Sequence, residues 1–251
     1  MHITLTGNLG SGKSTVSKLL EQQYGYEIFS TGKVIRSIAD ELGISVLEMN
    51  ELMGKDHKYD KMIDRKTADL SRENPDRNIL FDSRLAWHFV EKSFKVFLSV
   101  DLKEAARRVY LDQSRGEVEA YRDEEDAANK LAARAAAEDA RYEELYGIHY
   151  FDFNNYNLVL DTGSLPAELI TRILMEEFRK NGDGDERGRL LISPKRLLPG
   201  APETDISEAK VIFPGTVGIT VSGNTFTVTE GLEKVRQAAE QGYAYVCCRQ
   251  V

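Results

Sequence analysis

Gly7-Asn8-Leu9-Gly10-Ser11-Gly12-Lys13-Ser14-Thr15 sets the strictest condition on how this chain folds. A glycine, four free positions and then Gly-Lys-Ser is the pattern of a loop that wraps phosphates, and it works only between a buried strand and a helix start. Residues 2–6 read as that strand, and residues 16–20 open an amphipathic helix. The glycines let backbone N–H groups close on phosphate oxygens, and the new helix adds its positive end. Lys13 is spaced to reach the β and γ phosphates of a nucleoside triphosphate, ATP, and Ser14 to offer a hydroxyl to Mg2+. The plainer alternative, a Gly-rich turn with an exposed lysine, leaves the serine and the flanking strand and helix unexplained.

A chain of 251 residues holds one large domain or a medium one with a small companion, and 41% hydrophobic content is that of a globular protein. The net charge of -8 argues against general affinity for nucleic acid or an anionic membrane. Cys247 and Cys248 are the only cysteines; as neighbours they are poor partners for a structural disulfide and fit core packing in a reducing compartment. With no apolar run approaching the ~18 residues of a membrane span and no leader pattern, a cytoplasmic protein is expected. The sequence leaves the oligomeric state open.

Along the chain, residues 26–30, 78–82, 94–100 and 157–161 read as further short strands, separated by helical patterns, which is the alternation of a parallel sheet. Thr31 is placed to cap a helix bearing Val34, Ile35, Ile38, Ala39 and Leu42 on one face, and two more amphipathic helices at 45–53 and 59–71 suggest a flap on the substrate side. The charged stretch 113–141 reads as an exposed helical lid. The expected fold is therefore α/β, a three-layer phosphate-loop fold with a five-stranded parallel sheet over 1–180. A linker at 181–188 and a small α+β unit at 189–251 follow.

A phosphate loop alone serves switches, motors, transporters and small kinases, so the other arginines carry the argument. Thr31 and Arg36 put a hydroxyl at a helix start and a guanidinium one and a half turns later, fit for a small anion or for a simple cap with a surface arginine. Asp82-Ser83-Arg84 closes a strand where open α/β sheets place ligands. Asp82 could hold Mg2+ through water and Arg84 an acceptor phosphate, unless the segment is only a turn. Arg134, Glu138 and Arg141 share a helix face, either as a solvated ion ladder or as two arginines braced by a carboxylate to grip phosphate oxygens. Arg107, Arg108 and Arg115 lie where the lid begins.

These motifs, in this order, resemble the cytidylate kinases of the nucleoside monophosphate kinase superfamily, especially the shorter archaeal-like branch. Thr31-Gly32 with Arg36 is similar to that family's monophosphate segment, and Arg84-Leu85-Ala86 to its Arg-Leu-Ala segment. Arg134, Glu138, Arg141 and Tyr142, then Tyr146-Gly147-Ile148 and Asp161-Thr162, are similar to its later motifs. The resemblance covers most of residues 1–179 and implies transfer of the ATP γ-phosphoryl group to a nucleoside monophosphate, CMP or dCMP. It implies donor binding by Gly7 to Thr15 with Arg107 or Arg115, and acceptor binding by Thr31, Arg36, Arg84, Arg134, Glu138 and Arg141. Lys13, Arg84, Arg134 and Arg141 would act on the transferring group, and Ser14 and Asp82 would hold the metal. Ala135 and Leu85 stand where the family often has acids. A kinase of another small acceptor and an ATP-sensing regulator are the competing readings; a sensor has no need for a second phosphate grip.

After residue 188 the motifs stop. Residues 218–222 and 225–229 flank Gly223-Asn224, a strong hairpin signal, followed by a helix at 230–241 and a strand at 243–248. Gly231, Ala238-Ala239 and Gly242 resemble the pattern of ParB/sulfiredoxin-like domains, although Glu230-Gly231-Leu232-Glu233-Lys234 replaces their basic phosphate-binding turn. The expectation is a structural, regulatory or oligomerising appendage.

Overall fold

The computed structural model describes residues 1–112, 121–180, 188–202 and 210–251. The first half runs β1 (His2–Gly7), α1 (Lys13–Tyr24), β2 (Glu27–Ser30), α2 (Thr31–Leu42), α3 (Val46–Lys55), α4 (Lys58–Glu73), β3 (Ile79–Asp82) and α5 (Ala86–Phe89). It continues through β4 (Ser93–Ser99), α6 (Leu102–Leu111), α7 (Glu124–Tyr146), β5 (Leu158–Asp161) and α8 (Ala167–Lys180). The last stretch holds β6 (Arg189–Ile192), α9 (Pro194–Leu197), β7 (Lys210–Ser222), β8 (Thr225–Glu230), α10 (Leu232–Glu240) and β9 (Tyr243–Gln250).

β1 is buried along its whole length and lies between β3 and β4, which explains its apolar and threonine-rich sequence. Successive side chains leave opposite faces of a strand. Ile3, Leu5, Val96, Leu98, Leu158 and Leu160 therefore meet Val16 and Leu20 of α1 and Ile170, Ile173 and Leu174 of α8 in one core. Phe97 and Val159 point the other way, into an aromatic cluster with Tyr150, Phe153 and Tyr156. The flap helices keep their own small core of Ala39, Met49, Met53 and Ile63. Ser45 and Glu48 close a capping box at the start of α3.

The strand order is β2-β3-β1-β4-β5-β6-β9-β7-β8 in a single sheet. The five strands expected from the sequence are β1 to β5, all parallel to their neighbours. The expectation of five parallel strands is corrected by β6, which pairs parallel to β5 as a sixth. The strands after it continue the same sheet: β9 runs antiparallel to β6, β7 parallel to β9, and β8 antiparallel to β7. The physical reason lies in Leu190-Leu191-Ile192, an apolar triplet buried on both faces, which covers an edge of β5 that would otherwise offer open hydrogen-bonding groups. The aromatic cluster accordingly runs on from Phe97 and Tyr156 through Ile192 and Phe226 to Val235 and Val246. The hairpin and the last helix and strand form where their sequence signals lie. Ser30, rather than Thr31, is the N-cap of α2, and no side chain closes that cap.

Because this core crosses from the first 180 residues into the last 63, truncating one of its distal aromatics should loosen both. Phe226 is 7% exposed and shares the cluster with Trp87, the sole tryptophan. Phe226→Ala is expected to lower unfolding stability by about 3 kcal/mol. Trp87 fluorescence and far-UV circular dichroism should still report one coincident urea transition; a Trp87 transition unmoved by the substitution would contradict this packing.

Candidate active site

The phosphate loop leaves β1 at Gly7 and delivers α1 at Lys13. It is pinned from both sides. A Cβ at Gly7 would lie 2.3 Å from Leu98 O, and one at Gly10, whose φ is 78°, would lie 2.8 Å from Ala105 O of α6. Only glycine allows so close a backbone approach. Asn8 N donates to Leu98 O at 3.2 Å, and Asn8 Oδ1 accepts from Val100 N at 3.2 Å. Thr162, just past β5, donates its hydroxyl to Ser11 O at 3.0 Å. Leu9 packs against the small core between α6 and α7. Gly12 is the N-cap of α1, and Ser14 and Thr15 stand exposed in its first turn.

Lys13 Nζ folds back onto its own loop, donating to Gly7 O at 3.1 Å and Asn8 O at 3.3 Å. Burial and the nearby Arg84 charge push its ammonium down to about 7, against opposition from Asp82 and Glu138. Asp82 ends β3 opposite Leu5 of β1, two residues before the loop begins. A hydroxyl from Ser14 and a carboxylate from Asp82 are hard oxygen donors of the kind Mg2+ prefers.

Arg84 follows β3 and bridges the loop to α7. Its NH1 donates to Gly7 O at 2.5 Å and its Nε to Glu138 Oε2 at 2.8 Å, with both side chains 14% exposed. Arg134 donates its Nε to the other carboxylate oxygen, Glu138 Oε1, at 2.9 Å. Glu138 therefore braces two guanidinium groups from different elements. Burial raises its pKa, but the charges of Arg84 and then Arg134 outweigh that and hold it down at about 2. Burial likewise disfavours the Arg84 charge, while Glu138 more than restores it.

The pairing differs from the sequence reading at one point. Arg141 turns to α4, where its NH2 lies 3.8 Å from Asp60 Oδ1 and its Nε has no partner. Asp60 is 7% exposed with Oδ2 unpartnered, and burial raises its pKa. One turn on, Asp64 accepts a short hydrogen bond from the Tyr146 hydroxyl, and burial pushes its carboxyl up to about 6. Asp60 and Asp64 were invisible as site residues: in sequence they sit on the polar side of an amphipathic helix, and their partners lie on distant α7. Arg36 of α2 has no ion pair or hydrogen bond among the described residues, and it lies near Gly32, beside Thr31 in the first turn.

At the lid, Arg108 rather than Arg107 faces the loop. Arg108 donates to Thr162 O at 2.7 Å and Gly10 O at 3.4 Å, whereas Arg107 is half exposed and paired with Glu104 at 2.7 Å. Arg115 lies outside the described residues. Among the described residues, no helix is long and apolar enough to cross a membrane.

Residues 2–164 match the cytidylate kinase-like family. The chain belongs to that family. A cytidylate kinase of Methanocella arvoryzae is 33% identical over 183 residues, which cover 72% of this chain and 99% of that one. A cytidylate kinase of Methanobrevibacter smithii is 31% identical over 179 residues, 71% of this chain and 99% of the relative. An S-adenosylmethionine-dependent nucleotide dehydratase of Lacinutrix mariniflava is 30% identical over 180 residues but only 36% of its own length. In fold, the chain is similar to a shikimate kinase of Bacteroides thetaiotaomicron, with a TM-score of 0.50 at 14% identity over 71% of this chain and 98% of that one. Membership of a kinase family makes ATP a substrate.

Two outcomes follow from the charges in this cytidylate kinase-like site. Lys13 must be charged to hold phosphates yet is half neutral at about pH 7 before they arrive, so binding takes up a proton above that pH. Calorimetric ATP dissociation constants should weaken as pH rises from 7 to 9, by up to about tenfold per unit. Binding heats should vary with the ionisation enthalpy of the buffer, and a pH-independent affinity would refute the assignment. Glu138→Gln should cost about 3 kcal/mol of stability in urea titrations, because it strands Arg84 and Arg134 beside each other.

Proposed function

We propose that this protein transfers the γ-phosphoryl group of ATP to a nucleoside monophosphate, with CMP or dCMP as acceptor, releasing ADP and the acceptor's diphosphate. The observation that supports this reading is Arg84, which holds the first residue of the donor loop with one nitrogen and the acceptor-side carboxylate Glu138 with another. One side chain thus joins the place where the γ-phosphate would end and the place where an acceptor phosphate would begin. A switch or a motor requires no such second grip.

In the reaction, an oxygen of the acceptor phosphate forms the new P–O bond while the bond from the γ phosphorus to the bridging oxygen breaks and leaves with ADP. A phosphate monoester is largely doubly ionised at neutral pH, its second pKa being about 6, so no catalytic base is needed. The difficulty is to bring two polyanions into line, and charge placement answers it. The N–H groups of Gly7 to Thr15 and the Lys13 ammonium hold the β and γ phosphates. Ser14 and Asp82 would hold Mg2+, which supplies further neutralisation of the triphosphate. Thr31, Arg36, Arg84, Arg134 and Arg141 would take the acceptor. Glu138 keeps Arg84 and Arg134 charged and oriented, so little reorganisation is left for the moment of transfer. Arg108, with Arg107 and Arg115 beyond it, would draw the lid over the donor and exclude water as a competing acceptor.

The test is ADP release against a panel of nucleoside monophosphates and small metabolite hydroxyls. CMP or dCMP should give the highest kcat/KM; another preferred acceptor would replace the assignment, and turnover indifferent to acceptor would leave only an ATP-binding protein. Lys13→Ala should abolish transfer in a folded chain. Arg141→Ala should raise the acceptor KM by about tenfold or more with the ATP KM little changed, in line with loss of a charge-assisted hydrogen bond.

A further inference from the structure

The family match ends at residue 164, and the Methanocella relative is spanned almost completely by 183 residues of this chain. Nothing in those similarities gives the last 63 residues a role. Their contacts do. Asn224, at the β7–β8 turn, donates its Nδ2 to Val100 O at 2.6 Å and accepts from Ser99 Oγ at 2.7 Å. Arg196, in α9, donates through NH1 to Ser99 Oγ at 2.7 Å and Asp161 Oδ1 at 3.3 Å, and through NH2 to Asn224 O at 2.7 Å. Its guanidinium carbon also lies 4.6 Å from the centre of the Phe226 ring. The Arg196 side chain is 9% exposed and that of Asp161 2%.

Those anchor points are the ends of β4 and β5, and the phosphate loop hangs from the same residues. Val100 is held by two asparagines: its carbonyl by Asn224 and its N–H by Asn8 of the loop. Ser99 O receives Thr162 N at 2.7 Å, and the Thr162 hydroxyl holds Ser11 O. Loop and extension also share the walls of a cavity of about 380 Å3, with Asn8, Leu9 and Arg84 on one side and Arg196, Asn224 and Phe226 on the other.

We propose that Asn224 and Arg196 are positioning residues for the phosphate loop, so that the C-terminal extension is a working part of the ATP site. The proposal rests on the kinase reading for its catalytic readout. A loop that binds through backbone N–H groups needs its strand-end supports in place before the nucleotide arrives, and these two side chains fix the peptides on either side of Val100 and Asp161.

The experiment uses the full chain with Asn224→Ala, Asn224→Asp and Arg196→Lys, and Thr227→Ala as a control on the exposed side of the same hairpin. The first three should raise the ATP KM and the ATP dissociation constant about tenfold, the effect of losing one well-made buried hydrogen bond, while the CMP KM and the control stay unchanged. Amide hydrogen exchange across Asn8 to Lys13 should quicken in the same three variants. A variant that melts cooperatively with wild-type ATP affinity and loop exchange overturns the proposal. So does a fall in kcat that follows the folded fraction with both KM values unchanged. If Asn224→Ala fails to fold, the Asp and Lys variants, which keep polar groups in place, decide. Should the wild-type chain phosphorylate no monophosphate, the kinase reading fails, while ATP binding and amide exchange still decide this one.

Discussion

The carboxylate of Glu138, held between Arg84 and Arg134, is the interaction on which the site depends. Arg84, Arg134, Arg141, Arg36 and Lys13 converge on the region where the parallel strands end, and so many cations without their anions repel one another and lose hydration. Glu138 offsets two of them by giving one oxygen to each. Asp60 faces Arg141. Lys13 has no comparable partner and responds by shedding its proton near neutral pH. The resting site is a set of charges balanced for visitors that carry the missing negative charge.

The sheet sets where that balance is struck. β1 lies between β3 and β4, and the carboxyl ends of all three point to one edge of the molecule, where Gly7, Arg84 and Val100 come within reach of one another. In open α/β sheets ligands gather at such edges because loops from neighbouring strands diverge there. Extending the sheet beyond β5 adds a second set of groups at that edge. Arg196 and Asn224 belong to a segment that shares a core with the first 180 residues, so their hold on β4 and β5 has a rigid base.

Much of this was legible from local pattern. The phosphate loop, the first five strands, the flap helices and the hairpin each carry a signal within a few residues: a glycine spacing, an apolar run, a period of 3.6, an Asn beside a Gly. Thr31, Arg36, Arg84 and Arg134 were named because each stands next to such an element's end. The errors share a cause. β6 was overlooked because Leu190-Leu191-Ile192 shows no alternation, being buried on both faces. Arg141 was given to Glu138 because the two sit three residues apart on one helix, whereas its carboxylate, Asp60, comes from α4. Arg107 and Arg108 were indistinguishable until the pitch of α6 aimed one at Thr162 and the other at solvent.

The sequence by itself determined the donor loop and the order of the parallel strands, since glycine geometry and hydrophobic periodicity act over short stretches of chain. Only the tertiary structure decided which acid meets which arginine, that Lys13 sits near neutrality, and that the final hairpin ends against Val100. Those outcomes depend on distances between residues far apart in the chain, and on how much water the packing leaves around each charge, neither of which has any local signature.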